Sequence, residues 1–203
     1  MPLSLDRVAW RQVAHVCVDM QRMFEEETPW HTPWVTRTLP AIEAIVAVYP
    51  ERTVFTRFIP PVAAEAAHGA WQAYYRDWEA MTRERLTPGL IDLCTPLARH
   101  VPPAHVVDKS VYSPWLETNL HRALRARNVE TLVITGGETE VCVSATVLGA
   151  IDHGYSVVLP VDALCSSADE THDAMLRIYR NRFSSQLVDC TSAEVMDIWR
   201  REG

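Results

Sequence analysis

Short apolar runs alternate along this chain with longer stretches in which apolar residues recur every three or four positions. The short runs are VAHVCVDM (13–20), RTVFTRF (52–58), AHVVDK (104–109), TLVIT (131–135), SVVLP (156–160) and SQLVD (185–189). Their length and their content of Val, Ile, Leu and Thr predict six strands. Helical spacing predicts helices around 35–48, 115–127, 141–153, 169–181 and 191–201. Near-continuous apolar strands separated by helices of that length belong to a parallel sheet covered on both faces. The expected fold is therefore α/β: a three-layer α/β/α sandwich around a six-stranded, mainly parallel, Rossmann-like sheet.

The alternation breaks once. Residues 60–103 form a long, aromatic-rich insertion between the second and third strands, too long for a simple crossover. Trp71, Tyr74, Tyr75 and Trp78 stand at i, i+3, i+4 and i+7. That spacing makes one face of a helix, packed on the sheet or on a partner subunit, with a pocket wall as the less favoured alternative.

Composition narrows the classes of function. The 203 residues are 48% hydrophobic, without an apolar tract of the roughly 18 residues that would suggest a membrane span, and one domain covering 1–203 is expected. A formal net charge of -7 disfavours nucleic-acid and anionic-membrane partners. Five cysteines, at positions 17, 94, 142, 165 and 190, form neither a disulfide framework nor a CxxC metal pair. The amino-terminal stretch lacks a basic region followed by an apolar signal core, so a cytoplasmic location with reduced thiols is expected.

Three residues at predicted strand ends carry candidate chemistry. TLVITGGETEVC delivers Cys142 to the start of a predicted helix at the carboxyl end of a strand, where unpaired N–H groups and the helix dipole favour a thiolate. Asp19 ends the first strand, and Asp108 and Lys109 end the third. A thiol, a carboxylate and an ammonium gathered at one sheet edge make a nucleophile, a base and an orienting charge. Each also has a plainer reading: a buried cysteine is commonly a small hydrophobe, an Asp after a strand often caps a turn, and most lysines are solvated.

The segments VDMQ, DKSVYSPW, TGGETEVCVSATVLGAIDHGY and VVLPVDALCSS, in this order, resemble the isochorismatase-like cysteine hydrolases, among them nicotinamidases, N-carbamoylsarcosine amidase and ureidoacrylate amidohydrolase. The resemblance implies the isochorismatase-like hydrolase fold and a catalytic triad of Asp19, Lys109 and Cys142. It implies a nonproline cis peptide joining Gly137 to Glu138, and an oxyanion hole formed by the backbone N–H groups of Glu138 and Cys142. The activity implied is hydrolysis of a C–N amide or carbamoyl bond in a small molecule, without cofactor, in a homo-oligomer such as a dimer or tetramer. A noncatalytic binder on the same fold and an isochorismate-type vinyl-ether hydrolase are the alternatives. Members of the latter kind lack a nucleophilic cysteine at the position of Cys142.

Around the triad, Gln21, Arg57, Tyr112, Trp115 and Gly137 are the candidate substrate-binding residues. Gln21 either bonds the substrate or orients its loop. Arg57 either receives a carboxylate or pairs with an acid of the protein. Tyr112 and Trp115 occupy positions where the family places an aromatic against the substrate, or they pack beneath the loop. Glu138 is expected to turn outward, with an inward orientation as the alternative. The Asp-x-His metal motif of nicotinamidases is missing after TRFIPP, and Glu65 and His68 alone make a poor site, so no metal is expected. His172 is expected to cap a helix, and Cys17 and Cys165 to be structural.

Overall fold

The computed structural model describes all residues from 1 to 203. The strands are β1 (Val13–Val18), β2 (Thr53–Phe58), β3 (His105–Lys109), β4 (Thr131–Gly137), β5 (Ser156–Pro160), β6 (Leu164–Cys165) and β7 (Leu187–Cys190). They lie in the order β3-β2-β1-β4-β5-β7, with β6 pairing β4 alone, and every pairing is parallel. Six of these seven strands fall on the apolar runs. The two-residue β6 is too short to leave a periodic signal in sequence.

Alternation along the strands divides the interior in two. Val13 and Cys17 of β1 join one apolar cluster, while Ala14, Val16 and Val18 join the other. The first cluster is closed by α2 (Val35–Val46) and α8 (Ser192–Glu202), through Ile42, Ile45, Val195 and Trp199. The start of α8 is set locally by a capping box, in which Thr191 and Glu194 satisfy each other's backbone N–H groups. The second cluster is closed by α5 (Leu120–Ala126), α6 (Ser144–Asp152) and α7 (Asp169–Arg182). No helix is long and apolar enough to cross a membrane.

Two expected helices differ from the sequence reading in ways that matter at the site. The helix expected over 141–153 is two pieces: a wide π turn at Thr139–Val143, then α6. The one expected over 115–127 begins only at Leu120, because residues 110–119 form an irregular loop. The short α1 (Arg22–Glu25) follows β1, and the insertion holds α3 (Ala70–Asp77) and α4 (Thr95–Ala98). The insertion builds its own cluster, in which Met23, Phe58, Ala64, Tyr75, Met81 and Leu90 pack beside the carboxyl ends of β1 and β2. His172, expected as a cap, is instead buried: its Nδ1 lies 2.9 Å from Thr139 Oγ1 and its ring 4.8 Å from that of Trp34.

Candidate active site

The strand order sets β1 between β2 and β4, so Asp19 and the turn after β4 leave the sheet side by side. The approach depends on glycine. A Cβ on Gly136, whose φ is +104°, would stand 2.1 Å from the Val18 carbonyl oxygen. Beyond it the Gly137–Glu138 peptide is cis. The N–H groups of Val141 and Val143 both donate to the Glu138 carbonyl, at 3.1 and 3.0 Å, and the second of these bonds winds the wide turn that carries Cys142.

Asp19 sits in the left-handed region at φ +49°, which Asp enters more readily than most residues. Thr56 holds it there. The Asp19 N–H donates to Thr56 Oγ1 at 3.2 Å, and Thr56 Oγ1 donates to Asp19 Oδ1 at 2.5 Å. The other carboxylate oxygen takes Lys109 Nζ at 2.6 Å, in a pair whose side chains are 0% and 1% exposed. Lys109 reaches this point from two strands away, passing Phe58, its neighbour in register; Nζ lies 5.0 Å from that ring. Its other donors go to the Val111 carbonyl at 3.2 Å and Cys142 Sγ at 3.6 Å. The ammonium's three N–H groups are thereby engaged.

Electrostatics decide where the protons rest. Burial pushes the Cys142 thiol well above its ordinary pKa and Asp19 pushes it further; Lys109 opposes both and is outweighed. Burial would lower Lys109, but Asp19 and Cys142 more than offset it and the ammonium is kept. Burial and the carboxylate thus both work against the thiolate that a helix start favours. One wide turn cannot compensate for desolvation beside a carboxylate.

In front of Cys142 lies a cavity of about 290 Å³ walled mainly by aromatic side chains. Trp30 is its hub, with ring centroids at 5.9 Å from Phe58, 6.1 Å from Tyr74, 6.2 Å from Phe24 and 6.3 Å from Trp78. The face expected on α3 is divided. Tyr74 and Trp78 line the cavity, whereas Trp71 and Tyr75 line a neighbouring depression that includes His68 and Lys109.

Of the candidate binding residues, Tyr112 and Gly137 line the cavity. Glu138 lines it too, contrary to the expected outward orientation, because its Oε1 accepts the Ser167 N–H at 3.1 Å and anchors the side chain on the cavity wall. Three candidates are corrected. Gln21 is fully buried and ties loops together: Nε2 donates to the carbonyls of Phe58 (3.0 Å) and Ile91 (2.7 Å), and Oε1 accepts the Phe58 N–H. Arg57 is held bidentately by Asp108, at 2.8 and 2.9 Å, outside the cavity. Trp115 donates through Nε1 to the Thr146 carbonyl at 2.9 Å, covers Gly149 and does not line the cavity.

Sequence reasoning missed Thr56, Phe24, Trp30 and His31. The proline-flanked aromatic run PWHTPW, just after the first strand, was the available signal for the last two; Thr56 left none. No group of three or more His, Cys, Asp or Glu side chains is arranged to hold a metal ion, so the donor set does not fit the metal site of nicotinamidases.

Comparison with known proteins fits this geometry. A model of the isochorismatase domain matches residues 13–192. Ureidoacrylate amidohydrolase RutB of Methylobacterium radiotolerans is 38% identical over 88 residues, 43% of this chain and 33% of that protein. The probable inactive nicotinamidase At3g16190 of Arabidopsis thaliana is 25% identical over 187 residues, 85% of this chain and 90% of that protein. For three isochorismatase family proteins of Bacillus subtilis, the aligned stretch covers 39% to 61% of their length. The crystal structure of a cysteine hydrolase from Pseudomonas syringae pv. phaseolicola superposes with a TM-score of 0.84 at 22% identity, covering 100% of this chain and 99% of that one. With the domain matched over nearly its whole length, this chain belongs to the isochorismatase family.

Proposed function

We propose that this protein hydrolyses a C–N amide or carbamoyl bond of a small molecule, with Cys142 as nucleophile, Asp19 as proton carrier and Lys109 as the charge that orients both. The observation that carries this reading is Lys109 Nζ, buried between Asp19 Oδ2 and Cys142 Sγ, with Cys142 itself lining the aromatic cavity.

Because burial and Asp19 both raise the cost of a free thiolate, attack and deprotonation are coupled. Cys142 Sγ bonds to the substrate carbonyl carbon as its proton passes to Asp19. The backbone N–H groups of Glu138 and Cys142, the pair that family resemblance implies, receive the oxyanion; a donor in such a position lowers a barrier by about 3–4 kcal/mol. Asp19 then gives its proton to the leaving nitrogen, the C–N bond breaks and a thioester remains. A water attacks that thioester, its proton goes to Asp19, and the sulfur leaves and is reprotonated. Lys109 stays charged throughout, and Thr56 keeps Asp19 Oδ1 in place.

A noncatalytic binding role is the second reading, favoured by the burial that raises the Cys142 pKa and by the relative named as probably inactive. Turnover separates the two. Ammonia release is to be screened over small amides, carbamoyl and ureido compounds, with and without EDTA. The expected result is EDTA-insensitive release that disappears in Cys142→Ala and in Asp19→Asn. Release retained by Cys142→Ala overturns the proposal.

A further inference from the structure

Resting on the amidase reading, we infer that the cavity selects amides that carry a cationic nitrogen and rejects amides that carry a carboxylate. The juxtaposition behind this is an anionic Glu138 and an aromatic box on the walls of a cavity lined by neither Arg nor Lys.

The cavity's polar groups are acceptors or neutral. Glu138 spends Oε1 on the Ser167 N–H, at 3.1 Å, and Oε2 takes no hydrogen bond from the protein. His31 Nδ1 lies 3.1 Å from the Glu26 carbonyl, which only accepts, so Nδ1 is the donor and Nε2 is the acceptor of the uncharged tautomer. Trp30 Nε1 is a buried N–H without a partner. Closed off from solvent, it offers no donor to a substrate carboxylate.

A substrate carboxylate would look for a cation and find none free. Lys109 has committed its three N–H groups to Asp19, Val111 and Cys142. Arg57, the other candidate, is claimed by Asp108 and Asp92 and lies outside the cavity. A substrate ammonium meets the opposite situation. The faces of Trp30, Trp78 and Tyr74 attract positive charge, the Glu138 carboxylate supplies an ion pair, and the net charge of -7 favours its approach.

The test uses three probes of similar size: 3-(aminomethyl)benzamide, benzamide and 3-carbamoylbenzoate. Binding is measured by calorimetry on full-length Cys142→Ala, and ammonia release on the intact enzyme. The cationic probe is expected to bind at least tenfold more tightly than benzamide, and the carboxylate at least tenfold more weakly. In Glu138→Gln/Cys142→Ala, which keeps an acceptor for Ser167, the cation's advantage over benzamide should fall at least fivefold. A carboxylate probe that binds as well as benzamide overturns the inference, as does a cationic probe that shows no binding advantage or an advantage unaffected by Glu138→Gln. Charge-ranked binding without ammonia release from any amide in the wider screen would leave the inference standing and defeat the amidase reading instead.

Discussion

Thr56 grips Asp19 at two points: its hydroxyl accepts the Asp19 backbone N–H at 3.2 Å and donates to Asp19 Oδ1 at 2.5 Å. The Asp19 N–H is shared with the Thr56 carbonyl, also at 3.2 Å, so this one β2 residue fixes both the left-handed backbone and the carboxylate orientation of the proposed proton carrier. Lys109 binds the opposite oxygen, so the carboxylate is held from both sides.

Thr56→Val keeps the shape of the side chain and removes the donor. If Asp19 acts as proposed, kcat should fall about 100-fold, the scale expected when a reacting group is misplaced by about 1 Å. KM should change little, since Thr56 does not line the cavity. Thr56→Ser should recover most of the loss. A wild-type kcat in Thr56→Val would show that Asp19 needs no such support.

Lys109→Met tests the buried pair. Removing one partner leaves a carboxylate without its cation in a site 1% exposed, which typically costs about 3–5 kcal/mol. Urea unfolding should register a loss of that order. The double variant Asp19→Asn/Lys109→Met should regain most of the stability and none of the turnover. An unaltered unfolding midpoint in Lys109→Met would mean that water reaches Asp19 freely.

The legibility of this site followed the range of the interactions involved. Apolar runs announced the sheet because strand burial is written into consecutive residues, and family motifs at Asp19, Lys109 and Cys142 marked the residues that the fold brings together. Orientation was not legible. Whether Arg57 meets a substrate or Asp108 depends on the β2–β3 register, which places the two side by side. Gln21 and Trp115 likewise found backbone carbonyls 70 and 31 positions away along the chain. The upward push on the Cys142 pKa was not legible for a related reason: sequence revealed the charges but not the depth at which they meet.

That push has a counterintuitive consequence. Asp19 raises the Cys142 pKa and Lys109 lowers it, so Asp19→Asn should bring it down while abolishing turnover. The pH profile of iodoacetamide alkylation, read at Cys142 by peptide mass spectrometry, should move toward lower pH in Asp19→Asn, with faster labelling at neutral pH than in the wild type. A profile that stays in place or moves upward would remove Asp19 from the neighbourhood of the sulfur.

His15, at the centre of β1, should set part of the acid stability of the fold. It is fully buried, with Nδ1 3.3 Å from Thr53 Oγ1 and Nε2 2.8 Å from Thr135 Oγ1. Thr53 already donates its hydroxyl proton to the Tyr49 carbonyl, so Nδ1 carries the ring proton and Nε2 accepts from Thr135. Burial lowers the His15 pKa from 6.5 to about 3. Between those values the unfolded chain binds a proton that the native protein refuses, and stability drops as pH falls below about 6.5. At pH 5 this one residue accounts for a loss of about 2 kcal/mol, at 1.36 kcal/mol per pH unit. His15→Gln can still donate and accept but does not titrate, so its loss between pH 7 and 5 in urea unfolding should be smaller than the wild type's by about that amount. Equal losses in the two proteins would mean that His15 is protonated inside the sheet.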